Sequence, residues 1–162
     1  MFVVSLAFSQ DKIEDKSSES KKSLKPAAVW AIFDNADKLT VYSLEHNMDN
    51  TVAKDKTFHG YPIIGETNVA DDKTKTEIRA GIVNGLAYDG PEAKCFLPRH
   101  GVHAIVDGKA VDLVICFECY QIEVYSTLDS SAEPKKYSLP TSDAAKATLN
   151  KVLTDAKIAL GQ

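Results

Sequence analysis

Apolar and polar residues alternate through L-T-V-Y-S-L-E-H (39–46). Leu39, Val41, Ser43 and Glu45 fall on one face and Thr40, Tyr42, Leu44 and His46 on the other, the period of a strand. A-A-V-W-A-I-F (27–33) is a short apolar run just before it, and the D-N-A-D-K between them predicts a hairpin of two strands. T-F-H-G-Y-P-I-I-G-E-T-N-V (57–69) predicts a third strand, interrupted by Gly60 and Pro62 as by a bulge or an edge position. The period then changes. Ile78, Ile82 and Leu86 recur every fourth residue, so 72–88 predicts a helix, stopped by Asp89-Gly90-Pro91. G-V-H-A-I-V (101–106) and the long run 109–125 flank Asp107-Gly108, a two-residue hairpin signal. The second run is apolar on both faces in its middle, as a central strand is, and K-Y-S-L (136–139) reads as a short edge strand. T-S-D-A-A-K-A-T-L-N-K-V-L-T-D-A-K-I-A-L (141–160) predicts a helix capped by Thr141 or Ser142, with Ala145, Leu149, Val152, Leu153, Ala156 and Leu160 buried. The order β-β-β-α-β-β-α predicts an α+β domain: an antiparallel sheet of about five or six strands with two helices packed against it.

Composition adds boundaries. The first nine residues, M-F-V-V-S-L-A-F-S, are almost wholly apolar and end small-x-small, so 1–9 reads as the remnant of a signal peptide. In residues 10–26 nine of 17 are charged and four are Ser, which predicts a disordered linker. The α+β domain then spans 27–162. Export to the periplasm or cell exterior follows as the expectation, with a cytoplasmic protein as the alternative. A net charge of −4 and a pI near 5.5 argue against a nucleic-acid partner. No apolar stretch reaches the ~20 residues that span a bilayer. The 44% hydrophobic content suffices for a core without a metal or a disulfide.

The chemistry concentrates in C-F-L-P-R-H-G-V-H-A-I-V-D-G-K-A-V-D-L-V-I-C-F-E-C (95–119), which holds all three cysteines. Counting back from Asp107-Gly108 pairs Val106 with Lys109 and His103 with Asp112, and would set Arg99 opposite Cys116. Parity then puts Arg99, His103, Asp112, Cys116 and Glu118 on one polar face, a candidate site, and turns His100, Val102, Ala104, Val111, Leu113, Ile115, Phe117 and Cys119 to the core. His103 and Asp112 can touch across the strands. Cys116, four residues from Asp112 and so about 13 Å away at ~3.3 Å per residue, cannot complete a triad with them. Arg99 and Glu118 are close enough for an ion pair, either structural or facing an anionic ligand.

Three readings of the cysteines remain. In an oxidising compartment Cys95 can bridge to the paired strand end, and parity favours Cys119, leaving Cys116 as the odd thiol; a Cys116–Cys119 redox bridge is disfavoured, because a thioredoxin-type C-x-x-C opens a helix and this one does not. Cys95, His100, Cys116 and Cys119 are a zinc-type donor set, but in one continuous strand the sulfurs of C-F-E-C point to opposite faces. A cysteine-dependent enzyme centred on Cys95 or Cys116 is the third reading. His46 and His59 stand alone.

C-F-L-P-R-H-G-V-H-A, D-G-K-A-V-D-L-V-I-C-F-E-C and Q-I-E-V-Y, with F-H-G-Y-P-I-I-G-E-T upstream and T-S-D-A-A-K-A-T-L-N-K-V-L at the end, together resemble a family of small, often exported bacterial proteins with no established activity. The resemblance covers roughly 27–160. It implies that Cys95, Pro98, Arg99, His100, Cys116 and Cys119 belong together, without saying what they do. The expected function is a non-enzymatic binding module of the cell envelope for a protein or small ligand, with no cofactor. A zinc- or other metal-binding protein is the first alternative and a cysteine enzyme the second.

Overall fold

Asp107 and Gly108, both at positive φ (49° and 72°), reverse the chain between β4 (His100–Val106) and β5 (Lys109–Cys116). The register is the one counted from the turn: Val106 opposite Lys109, His103 opposite Asp112, Gly101 opposite Val114. The computed structural model describes residues 27–48, 51–127 and 135–162. The expected signal-peptide remnant and charged linker lie outside the described residues.

Around that hairpin the sheet has seven strands, all antiparallel, in the order β2-β3-β1-β4-β5-β6-β7. The others are β1 (Lys38–Leu44), β2 (Thr57–Phe58), β3 (Tyr61–Asn68), β6 (Gln121–Ser126) and β7 (Lys135–Pro140). The α+β class holds, with one or two more strands than expected and, among the described residues, three helices instead of two. Two turns account for the added strands. The long run 109–125 is two strands, because the chain reverses through Phe117–Tyr120, closed by the Tyr120 N–H on the Phe117 carbonyl at 3.2 Å. The break expected at Gly60 is likewise a reversal and not a bulge: His59 and Gly60 have φ of 51° and 89° and fold β2 back on β3.

Residues 27–33, read as a strand, belong to helix α1 (Ala27–Asn35). Seven apolar residues fit either state, and here tertiary packing decides. Trp30, Ile32 and Phe33 are buried in the core, and the Arg79 guanidinium, from α2 (Asp72–Gly85), donates to the carbonyls of Phe33 (3.1 Å) and Ala36 (2.7 Å). It satisfies carbonyls that a helix end leaves unpaired. α2 is held at its other end by the Asp71 carboxylate, which accepts from the Thr74 N–H and hydroxyl. A short 3₁₀ turn (Asp143–Ala145) leads into α3 (Lys146–Asp155), and Ser142 Oγ accepts from the Ala144 N–H at 3.4 Å.

α3 stops five residues before the predicted end. Lys157 turns left-handed (φ 60°), its N–H reaches the Thr154 carbonyl, and the Ile158 N–H reaches the Leu153 carbonyl at 2.9 Å. That 6→1 and 5→2 pair is a Schellman ending. Residues 158–162 consequently run as an extended tail onto β1, and Ala156 is exposed.

The two sheet faces differ. One carries Leu39, Val41, Val102, Ala104, Leu113, Ile115, Ile122 and Val124 against Phe33, Ile78, Ile82, Leu149 and Leu153 of the three helices. Among the described residues the other carries no helix. It is covered by its own edge: the β2–β3 hairpin brings Phe58 and Tyr61 into a second cluster with Leu44 and Val114, flanked by Tyr42, Phe96 and Tyr125. Phe58 stacks on Tyr42 of β1 (centroids 4.5 Å apart) and passes directly over Gly101 of β4.

Candidate functional site

Four of the five residues assigned to one polar face separate into two clusters, and the fifth, Cys116, is in neither. In the middle of the sheet His103 Nδ1 donates to Asp112 Oδ1, the cross-strand pair expected from the register. The carboxylate's other oxygen accepts from His59 Nε2 at 2.8 Å. His59, which the sequence left without a role, is carried there by the left-handed turn between β2 and β3. Its ring stacks on Tyr125 of β6 with centroids 3.7 Å apart. The Tyr125 hydroxyl donates to Glu123 (2.7 Å), which also pairs with Lys136 (2.5 Å). The cluster therefore ties β2 to β4, β5 and β6 across the open face.

Its electrostatics follow. Burial disfavours the charged form of Asp112, but hydrogen bonds from His103 and His59 outweigh it and hold the carboxyl below its ordinary pKa. The Asp112 hydrogen bond raises His103 above its ordinary value, against a smaller burial effect. The Tyr42 hydroxyl is pushed up to about 12 by burial and by Glu66 and Asp112.

The second cluster lies at the start of β4. Arg99 Nη1 donates to Glu118 Oε1 at 3.0 Å, and Lys146 Nζ, in the first turn of α3, stands 3.9 Å from the same oxygen. His100 is buried, donates from Nε2 to Asn150 Oδ1 (2.7 Å) and sets its ring edge-on to Phe117. Burial lowers its pKa, and Lys146 and Arg99 add to this; the Asn150 hydrogen bond opposes it only in part. These residues line a cavity of about 200 Å³ together with Leu97, Phe117 and the tail residues Leu160, Gly161 and Gln162. The tail is fixed by Ser43, whose hydroxyl donates to the Ala159 carbonyl (2.7 Å) and accepts from the Gly161 N–H (3.0 Å). Gly161 is required there, since a Cβ would lie 2.1 Å from the Leu44 carbonyl oxygen. Arg99 Nε is buried with no hydrogen-bond partner.

The cysteines depart furthest from expectation. Cys116 and Cys119 are bridged to each other, with Cα atoms 5.2 Å apart, and both are buried. Cys95 is a free, exposed thiol. The expected Cys95–Cys119 pairing treated 109–125 as one strand, where positions i and i+3 point apart. The turn at Phe117–Tyr120 brings the two sulfurs to the same side. Cys116 is thus in a buried bridge and not on the polar face. The donor set Cys95, His100, Cys116 and Cys119 is not gathered around one point either: two sulfurs are bonded to each other, and His100 is engaged by Asn150. Among the described residues no group of three or more His, Cys, Asp or Glu side chains is placed to hold a metal ion. No helix among them is long and apolar enough to cross a membrane.

Opposite pKa shifts on two histidines of one strand predict opposite pH behaviour. His103, raised in the fold, stabilises fully below its unfolded pKa of about 6.5, and that contribution is lost as pH rises through the folded value. His100, lowered in the fold, has its contribution fully present above about 6.5, and loses it as pH falls towards the folded value. Urea unfolding between about pH 5.5 and 8 is therefore expected to show the cost of His103→Gln growing as pH falls, and that of His100→Gln shrinking. Parallel pH slopes for the two variants would contradict this assignment.

Compared with known proteins, the chain matches no protein-family model, no curated protein and no solved structure.

Proposed function

We propose that this chain is an exported, non-enzymatic binding module, and that its ligand is a small organic anion held between Arg99 and Lys146. The observation that carries the reading is the Arg99 guanidinium: the side chain lines the cavity, Nη1 is paired with Glu118, and Nε is buried without an acceptor. A buried donor left unpaired costs on the order of 1–3 kcal/mol, so a ligand carboxylate that draws the guanidinium round to expose Nε and accepts from it recovers that cost. Lys146 contributes a second positive charge and Glu118 a negative one, so with His100 held neutral the wall is cationic. Leu97, Phe117 and Leu160 supply apolar surface for a short hydrocarbon portion. A volume of about 200 Å³ is below the ≈ 300–1,000 Å³ typical of drug-sized ligands, which favours a small molecule or the end of a larger one. The Cys116–Cys119 pairing supports an oxidising compartment such as the periplasm or cell exterior.

Titration calorimetry with butyrate, and with n-butylammonium as the charge-reversed control, tests the reading. Butyrate is expected to bind and the ammonium ion is not. Arg99→Ala is expected to weaken butyrate by about 10-fold or more, the loss of one hydrogen bond to a charged group. Gly161→Ala, which cannot keep the tail on β1, is expected to weaken it as well. Equal binding of both ions, or butyrate affinity unchanged in Arg99→Ala, would show that the cavity is not an anion site.

A further inference from the structure

We infer that the three cysteines form an internal thiol–disulfide exchange site, in which exposed Cys95 gives access to a bridge that solvent cannot reach. Cys116 and Cys119 are each 1% exposed, so an external thiol has no line of attack on their bridge. Cys95 is exposed, and the chain around it is fastened to Cys119 on both sides. The Ala93 N–H donates to the Cys119 carbonyl at 3.0 Å, and the Leu97 N–H donates to Cys119 Sγ at 3.3 Å. Gln121 Nε2 holds the Ala93 carbonyl at 2.6 Å. Cys95 is the midpoint of this arc, which has no regular secondary structure and can shift without breaking the sheet.

The chemistry is a single exchange. The Cys95 thiolate attacks Cys119 Sγ, the Cys116–Cys119 bond breaks, and its electron pair leaves on Cys116 Sγ. That sulfur takes up the proton which Cys95 gave to solvent, so no oxidant or reductant is consumed. The leaving sulfur is prepared for charge: the Cys119 N–H already donates to Cys116 Sγ at 3.2 Å. The resting bridge remains Cys116–Cys119, and the exchanged state presents its bridge at the exposed position 95, where an external small thiol can resolve it. The site does not depend on what the Arg99 cavity binds.

The test is the rate at which 2-mercaptoethanol reduces the Cys116–Cys119 bridge in the folded full chain, followed by alkylation and peptide mass mapping. Wild type is expected to be reduced at least about 10-fold faster than Cys95→Ser, because the variant leaves only the sealed bridge. A second measurement uses Cys116→Ser and Cys119→Ser treated with oxidised glutathione. Closure of Cys95–Cys119 in the first is expected to be at least about 10-fold faster than closure of Cys95–Cys116 in the second. Reduction of Cys95→Ser at the wild-type rate or faster overturns the proposal. So does Cys116→Ser remaining two free thiols while its circular dichroism shows it folded.

Discussion

Asp112→Asn is expected to lower the stability by about 2–4 kcal/mol and to loosen the β2–β3 hairpin from the sheet. The amide keeps the shape of the carboxylate and removes its charge. Both Asp112 oxygens are in use, one by His103 and one by His59, and the side chain is only 22% exposed. Asparagine offers one acceptor and turns an N–H₂ towards the other imidazole, so at least one charge-assisted bond is lost. His59 has little else to anchor it beyond its stack on Tyr125 and its edge contact with Phe58. Hydrogen exchange at Phe58–Tyr61 is therefore expected to accelerate more than exchange in β4 or β5. A change below about 0.5 kcal/mol, the range of an ordinary surface substitution, would show that the cluster does not hold the hairpin.

Gly101→Val is expected to cost about 2 kcal/mol by overpacking. A Cβ at position 101 would lie 2.8 Å from two ring carbons of Phe58 and 3.2 Å from Tyr42 Cβ. Phe58 cannot simply swing away, because it is buried and stacked on Tyr42. Valine is well suited to a strand, which recovers a part of the cost. The same substitution on a bare sheet face would stabilise β4, so the sign reports whether the hairpin covers it. Pairing Gly101→Val with Phe58→Ala gives a direct check. With the ring gone, valine is expected to cost less than about 0.5 kcal/mol or to stabilise.

The turns explain which parts of the molecule the sequence displayed. Among the described residues four non-glycines have positive φ: His59, Asp107, Tyr120 and Lys157. Asp107 precedes Gly108 in the usual two-residue hairpin signal, and the register read from it holds residue by residue. Tyr120 and Lys157 seldom mark a left-handed turn, and His59, though it tolerates one better, is not a turn signal by itself. Each hid a change of direction. Tyr120 concealed the β5–β6 reversal, and with it the proximity of Cys116 and Cys119. His59 concealed the β2–β3 hairpin, and with it the second imidazole on Asp112. Lys157 concealed the end of α3, and with it the tail that closes the Arg99 cavity. The His103–Asp112 pair was legible because it depends only on one hairpin and on strand parity; Arg99–Glu118 also forms, but with Glu118 in the reversal after β5 and not on the strand. The α1 run was ambiguous for a different reason: its helical state depends on Arg79, 43 residues away from Ala36 in the chain, and no local pattern reports that.

The binding reading comes down to one donor, Arg99 Nε, whose N–H gives its own resonance in a ¹H–¹⁵N correlation spectrum. Titration of the labelled, folded protein with butyrate is expected to shift that resonance downfield in a saturable way. The amides of Leu97 and Gly161 are expected to follow on the same curve, while those of His103 and Asp112 stay in place. An Arg99 Nε–H signal that does not move while butyrate is raised to millimolar concentration, or that moves without saturating, would contradict the account.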